Sequence, residues 1–521
     1  MSYSVVWFKR DLRVHDNEAL FSALEHGPVI CLYILEPSYW AGKDTSKRQL
    51  DFLKESLLDL AKELKSLNLN LTLMNGEAID VFSKIYASSP FSSVHSYQET
   101  GNAITFKRDN LVKKWLKSKN VQWSEYRQHG VLRGLTSRNQ WNQQWDRLMS
   151  SPQFRVSTCA VDFNLQNHLH SLFPSERWPA VDEWSINQDP CPERQLGGRL
   201  EALKILSSFL TNRSSTYVGG ISSPLKATTA CSRLSPYLSL GCLSIREVVQ
   251  ATNTTLQSQL TRPYQSRGLH NFLSRLHWHC HFIQKLESEP EIEWRNMNQG
   301  FNGLRENEWS DEHFERLISA QTGWPLVDAC VVMLRDTGWL NFRMRAMLIS
   351  VASYPLWLHW KKVGDWLATQ FVDYEPGIHW SQVQMQSGTT GINTTRVYNP
   401  IKQAMDHDPR GEFVRRWLPV LRRVPDAWIF EPWTMPENVQ AECGVFIGRD
   451  WPIPVVDLAQ ATREAKNRMH TRKSVSSVKE LNPKVLERHG SKANTNLKKI
   501  SKRRTTERVK KEQGNQLALD F

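Results

Sequence analysis

Arg343 and Arg345, with Asp373 and Glu375 further along, fall in Gly323–Glu375, an apolar-dominated stretch that also holds five tryptophans. Charges at such positions need partners, because an unpaired ion removed from water is costly. Two guanidiniums, two carboxylates and several rings outline an enclosure for a charged group. Plain core helices are the alternative: Val327, Cys330, Val331 and Leu334 recur at helical spacing, as do Met344, Met347, Leu348 and Val351.

Two other clusters carry chemistry. Tyr217 and the run Cys231, Ser232, Arg233, Leu234, Ser235 supply hydroxyls and backbone N–H groups just before a helical segment, Pro236–Leu240. Such donors at a helix N-terminus suit a pyrophosphate; a simple cap by Ser235 is the alternative. In Asn271–Lys285, wound as a helix, Leu273, Leu276, Cys280 and Ile283 share one face, while Asn271, Arg275, Trp278 and Phe282 share the opposite one. That second face could line a cavity, with Trp278 stacking a heterocycle and Arg275 and His279 pairing anions. His277, His279 and His281 alternate and are spread around a helix, so no metal site is expected.

These clusters need elements to hold them. Ser4–Phe8, Val29–Leu35, Leu69–Met74, Val94–Tyr97 and Val121–Tyr126 read as strands, alternating with amphipathic helices such as Gln49–Leu67 and Ile104–Ser118. The expectation is an α/β N-terminal domain, residues 1–130, built on a parallel five-stranded sheet. The loop Lys9–Asp16 after the first strand is then on the ligand side, although no G-x-G-x-x-G follows it. A Pro-, Asn- and Gln-rich connector, 131–196, leads to a mostly α domain, 197–460.

The chain has 521 residues and a formal charge of +13, but the last 61 residues hold 17 Lys and Arg against 6 Asp and Glu, so the body is nearly neutral. Residues 461–521 are expected to form a basic, disordered tail available to phosphate backbones. The eight cysteines show no C-x-x-C pair, which argues for a reducing compartment. With no apolar run long enough to span a bilayer, a soluble, cytoplasmic monomer is expected.

Several segments in order resemble the photolyase/cryptochrome flavoproteins: VVWFKRDLRVHDNEAL, SRLSPYLSLGCLS, TGWPLVDACVVMLRDTGWLNFRMR, VYNPIKQ, GEFVRRWLPVLRRVP and EPW. The resemblance implies FAD in the helical domain. Tyr217 and Ser232–Ser235 would hold its phosphates, with Cys231 where threonine is common. Arg343, Arg345, Asp373 and Glu375 would surround the isoalloxazine, and Glu375 would accept a hydrogen bond from its imide N–H. Phe272 would border the same pocket. It further implies a lyase that splits UV-induced pyrimidine dimers in DNA by electron transfer under blue light; the alternative is a cryptochrome-type photoreceptor without repair.

This chain departs from that pattern in places. Arg275 stands where a glutamate assists dimer splitting, and Phe342 where an asparagine touches the lesion; Trp278 is kept. Trp309 and Trp360 align with two tryptophans of an electron relay, but the flavin-proximal one falls on Val383, or on Trp380 after a small shift. His379 is placed to face the flavin ring, where an imidazole could exchange a proton. Asn102 matches an antenna residue, followed by Ala103 rather than an acid, leaving open methenyltetrahydrofolate, another chromophore or none. Finally, Gln516–Phe521 resembles peptides that dock on the bacterial sliding clamp.

Overall fold

The computed structural model describes residues 3–135, 138–156, 163–179, 186–258, 262–393 and 396–490. Strands β1 (Ser4–Phe8), β2 (Val29–Leu35), β3 (Leu71–Asn75), β4 (Ser93–Tyr97) and β5 (Gln122–Tyr126) form one parallel sheet in the order β3-β2-β1-β4-β5. Val5 pairs with Ile30 on one side and Val94 on the other. β1 and β2 are buried along their whole length, which explains their unbroken apolar sequences. Helices α1 (Glu18–Leu24), α2 (Lys47–Ser66), α3 (Ala78–Ser88) and α4 (Ala103–Ser118) make the crossovers. The strand order reverses beside β1, so the loop Lys9–Asp16 leaves the sheet at the switch point.

The stretch 131–196 is more than a connector. It contains α5 (Trp141–Ser150), which buries Trp141, Trp145 and Met149, and α6 (Phe163–Leu172). Trp141, Trp145 and Met149 form a narrow i, i+4, i+8 stripe that the surrounding Asn and Gln conceal.

The helical region is built from α7 (Arg199–Thr211), α8 (Ser235–Ser239), α9 (Ile245–Gln257), α10 (Pro263–Ser288), α11 (Pro325–Thr337), α12 (Phe342–Ser353), α13 (Trp360–Gln370) and α14 (Pro376–Ser387), with shorter helices between them. It packs against the carboxyl edge of the sheet. The seam is polar: Asp16 pairs with Arg246, whose Nε lies 3.0 Å from Oδ2, and Arg199 Nε lies 3.5 Å from Glu63 Oε1. Leu12 N donates to Leu240 O at 3.0 Å, and Arg13 Nη1 to Gly241 O at 2.9 Å.

The expected disordered tail is corrected over its first half. Helices α15 (Leu458–Ser474) and α16 (Ser476–His489) pack onto the helical domain, burying Ala465, Met469 and Val478 beside Phe301 and Tyr354. Asn298 Nδ2 donates to Asn482 Oδ1 at 2.8 Å. Only a few apolar residues seat these helices, too few to register in an average dominated by Lys and Arg. Residues 491–521, including Gln516–Phe521, lie outside the described residues. Among the described residues no helix is long and apolar enough to cross a membrane, no cluster could hold a metal ion, and the cysteines are free.

Candidate functional site

The three clusters converge on one cavity of about 310 Å³ in the helical domain, within the usual range for ligand pockets, about 300–1,000 Å³. One wall is Tyr217 with Cys231, Ser232, Arg233 and Ser235. Arg213 fastens this loop from behind, donating to the carbonyls of Cys231 and Ser232. Arg233 adopts a left-handed conformation, φ +63°, which is uncommon outside glycine. Its guanidinium lies 3.8 Å from the Trp339 ring centre, and its Nη1 is buried without a partner. Burial lowers the Arg233 pKa to about 10, so it remains a cation at neutral pH facing a cavity that can take an anion. Burial likewise pushes the Cys231 thiol up to about 12.

The facing wall comes from α12 and the turn before α14. Arg345 Nη2 donates to Asp373 Oδ2 at 2.8 Å and Nε to Leu340 O at 2.7 Å, while the guanidinium lies 4.0 Å from the Phe371 ring centre. Arg343 lines the cavity beside it. Glu375 pairs with Arg10 from the loop after β1, Oε2 to Nη2 at 2.9 Å. His379 Nε2 lies 2.9 Å from Gly364 O. Burial lowers the His379 pKa to about 3, so the ring is neutral, Nε2–H is the donor to that carbonyl, and Nδ1 carries a lone pair.

α10 supplies the third wall through Arg275, Trp278, His279 and Phe282. The Trp278 and Phe282 rings stack at 5.6 Å with 30° between their planes. His279 is held neutral by burial, its pKa lowered to about 4. Asn271, expected on this face, is exposed and turns back to Arg267 O. Phe342, from α12, also borders the cavity.

Some expected site residues stand elsewhere. Phe272 is in the core, 4.8 Å from the Phe209 ring and 6.2 Å from Tyr217, and supports the first wall from behind. Leu234 is 1% exposed and packs away from the cavity. Trp309 is half-buried with its Nε1 on Asp311. Trp360 and Trp380 are fully buried, their ring centres 5.9 Å apart, and Trp380 lies 4.8 Å from His379. Trp380 Nε1 donates to Tyr374 Oη at 3.1 Å, and Tyr374 lines the cavity. Tyr374, Gln382 and Arg10 were not singled out by sequence, although Tyr374 sits between the two acids and Arg10 in the loop assigned to the ligand side.

Residues 4–142 match the DNA photolyase family, and residues 272–471 match the FAD binding domain of DNA photolyase. The chain belongs to the photolyase/cryptochrome family. Among curated relatives of this family member, the deoxyribodipyrimidine photo-lyase of Vibrio cholerae is 27% identical, covering 83% of this chain and 93% of the relative. Cryptochrome DASH of Gloeobacter violaceus is 28% identical, covering 88% and 93%. The Synechocystis cryptochrome superposes with a TM-score of 0.78 at 22% identity, over 90% of this chain and 99% of that one. A class III photolyase from Agrobacterium tumefaciens gives 0.72 at 25% identity, over 91% and 98%.

FAD is the cofactor of this domain, and the cavity's own chemistry fits it. Arg233 Nη1, His279 Nδ1, Arg343 Nε, Asp373 Oδ1, Glu375 Oε1 and Gln382 Nε2 are buried without hydrogen-bond partners. Buried polar atoms are normally satisfied, and these mix cationic donors with acceptors as a phosphate-bearing heterocycle requires. A folate antenna at Asn102 fits less well. Asn102 caps α4, accepting from Thr105 N and donating to Asp44, while Ala103 N donates to Glu293 at 2.8 Å. The space there is about 10 Å³, room for about one water and far short of a folate.

Proposed function

We propose that the protein is a blue-light-driven DNA lyase that splits UV-induced pyrimidine dimers. The observation that carries this reading is the aromatic wall of Trp278 and Phe282, which shares one cavity with Arg345–Asp373 and Glu375. FAD, when bound, supplies a light-excited electron donor. The residues of this chain do the rest. Trp278 and Phe282 offer a face on which an extruded base stacks, and Arg275 donates hydrogen bonds to a pyrimidine carbonyl. The net reaction breaks two carbon–carbon bonds between the pyrimidines, restores both ring double bonds and returns the lent electron, so no co-substrate is consumed.

Base stacking on an aromatic side chain contributes about 1–3 kcal/mol. Trp278→Ala should therefore weaken binding of dimer-containing DNA about 5- to 150-fold while leaving undamaged DNA unaffected, as read by fluorescence anisotropy. Equal affinity for damaged DNA before and after the substitution would remove the lesion from this wall. A photoreceptor without repair is the second reading. Arg275 and Phe342 favour it, because a guanidinium cannot exchange a proton as a carboxyl can.

Trp380 replaces the missing proximal ring of the relay in this reading. It touches Trp360 on one side and His379 and the Tyr374 hydroxyl on the other. Trp380→Phe should cut the rate of photoreduction under blue light with an external reductant to a small fraction of the parent rate. An unchanged rate would take Trp380 out of the path.

The partners proposed are UV-damaged DNA and, through Gln516–Phe521, a bacterial sliding clamp, which implies a cytoplasmic location. Gln516 would bond at the rim of the clamp groove and Leu519 and Phe521 would fill it, and the basic residues before them would follow DNA. Deleting residues 516–521 is expected to abolish capture by purified clamp; retained capture would contradict the docking.

A further inference from the structure

Arg10, from the loop after β1 of the α/β domain, bonds two residues that line the cavity of the helical domain. Its Nε donates to Ser239 O at 2.8 Å, and its Nη2 donates to Tyr374 O at 3.1 Å and lies 2.9 Å from Glu375 Oε2. The backbone is held as closely. Gln128 donates to Arg10 O, and Gly241, at φ +65°, approaches so near that a Cβ there would stand 2.2 Å from the same oxygen. The guanidinium is thus delivered by the docking of one domain on the other.

Glu375 is divided between two environments. Oε2 meets Arg10, whereas Oε1 is buried without a partner on a residue that lines the cavity. Burial pushes the Glu375 carboxyl up, and Arg10 opposes it; Glu99, also from the α/β domain, acts in the same direction as burial. The other titratable groups of the cavity do not replace Arg10. His279 and His379 are neutral, Arg345 is engaged by Asp373, and Arg233, Arg275 and Arg343 on the other walls do not act on the Glu375 carboxyl, where Arg10 and, more weakly, the Gly377 backbone N–H favour the charge. Burial also opposes the charge on Arg10, yet Glu375 and the neighbouring Glu99 and tyrosines outweigh it, so the Arg10 pKa is raised.

We propose that Arg10 is a positioning residue of the flavin site: through it, docking of the α/β domain keeps Glu375 ionised, reserves its second oxygen for the cofactor's imide N–H, and so sets the potential of bound FAD. The proposal rests on the FAD assignment of the cavity. A carboxylate at that edge disfavours added negative charge on the cofactor, whereas a neutral carboxyl does not. Losing Arg10 therefore raises the midpoint potential at pH values where Glu375 becomes protonated.

The test compares the full-length holoprotein with Arg10→Gln, Arg10→Lys, Glu375→Gln and the Arg10→Gln/Glu375→Gln double variant. FAD content is measured first, then the midpoint potential as a function of pH. In Arg10→Gln the break in the potential–pH curve should move up by about 1–3 pH units, the usual effect of removing an adjacent opposite charge; Arg10→Lys should move it back. In the Glu375→Gln background, Arg10→Gln should shift nothing. An unmoved break in Arg10→Gln, or an equal shift of potential in both Glu375 backgrounds, would overturn the proposal. If Arg10→Gln purifies without FAD, it is reconstituted with excess FAD and measured in the same way, and an unmoved break there overturns the proposal. Failure of the parent itself to hold FAD would strike the cofactor assignment instead.

Discussion

Arg345→Met is expected to give a folded protein that purifies without FAD. Arg345 is held by Leu340 O, stacks on Phe371 and meets Asp373 at 2.8 Å, and the Asp373 side chain is 3% exposed. Removing the guanidinium strands a buried carboxylate, and breaking a buried pair costs about 3–5 kcal/mol. Part of that cost falls on folding and part on the cavity, because Asp373 must then find another partner or a proton. Flavin absorbance of the purified protein, FAD released on denaturation and the thermal midpoint measure both parts. Arg345→Lys should recover only some of the FAD, since an ammonium cannot serve Leu340 O and Asp373 with the same fixed fork. Full FAD content with an unchanged midpoint in Arg345→Met would contradict the assignment of this wall.

The second large effect is at the seam. Asp16 is 1% exposed and accepts from Ser244 Oγ, from Phe154 N at 3.1 Å and from Arg246. Asp16→Ala leaves Arg246 buried with Ser151 Oγ but no carboxylate, again a cost of about 3–5 kcal/mol. It also places alanine at φ +53°, a left-handed conformation that Asp and Asn tolerate better. The thermal midpoint should fall furthest in Asp16→Ala and less in Asp16→Asn, which keeps the backbone preference but loses the charge. Arg449→Ala, which breaks the exposed Arg449–Asp450 pair but leaves Asp450 on Phe446 N, should leave the midpoint unchanged. If all three variants melt together with the parent, the seam does not depend on this pair.

How much of this could be read from sequence follows from how local each signal is. β1 and β2 were legible because burial on both faces leaves an unbroken apolar run. The cavity walls were legible where a residue type was out of place, as with Arg343 and Arg345 in an apolar stretch, or where a helical wheel sufficed, as with Arg275, Trp278 and Phe282. The Arg10–Glu375 pair was not, since nothing in either segment indicates that the other is near. Phe272 shows the opposite error. Its position by resemblance suggested the pocket, but Phe209 and Tyr217 enclose it in the core. The helices α5, α15 and α16 were missed because each is seated by a few apolar residues within a polar or basic stretch.

The lyase reading is tested most directly by illuminating the reduced holoprotein with blue light in the presence of DNA carrying one defined cyclobutane dimer or one (6-4) product, in duplex and single-stranded form, and counting restored bases. The account predicts light-dependent restoration at the cyclobutane dimer and none in the dark. No restoration at either lesion, in either form of DNA, would contradict it and leave the photoreceptor reading that Arg275 and Phe342 favour.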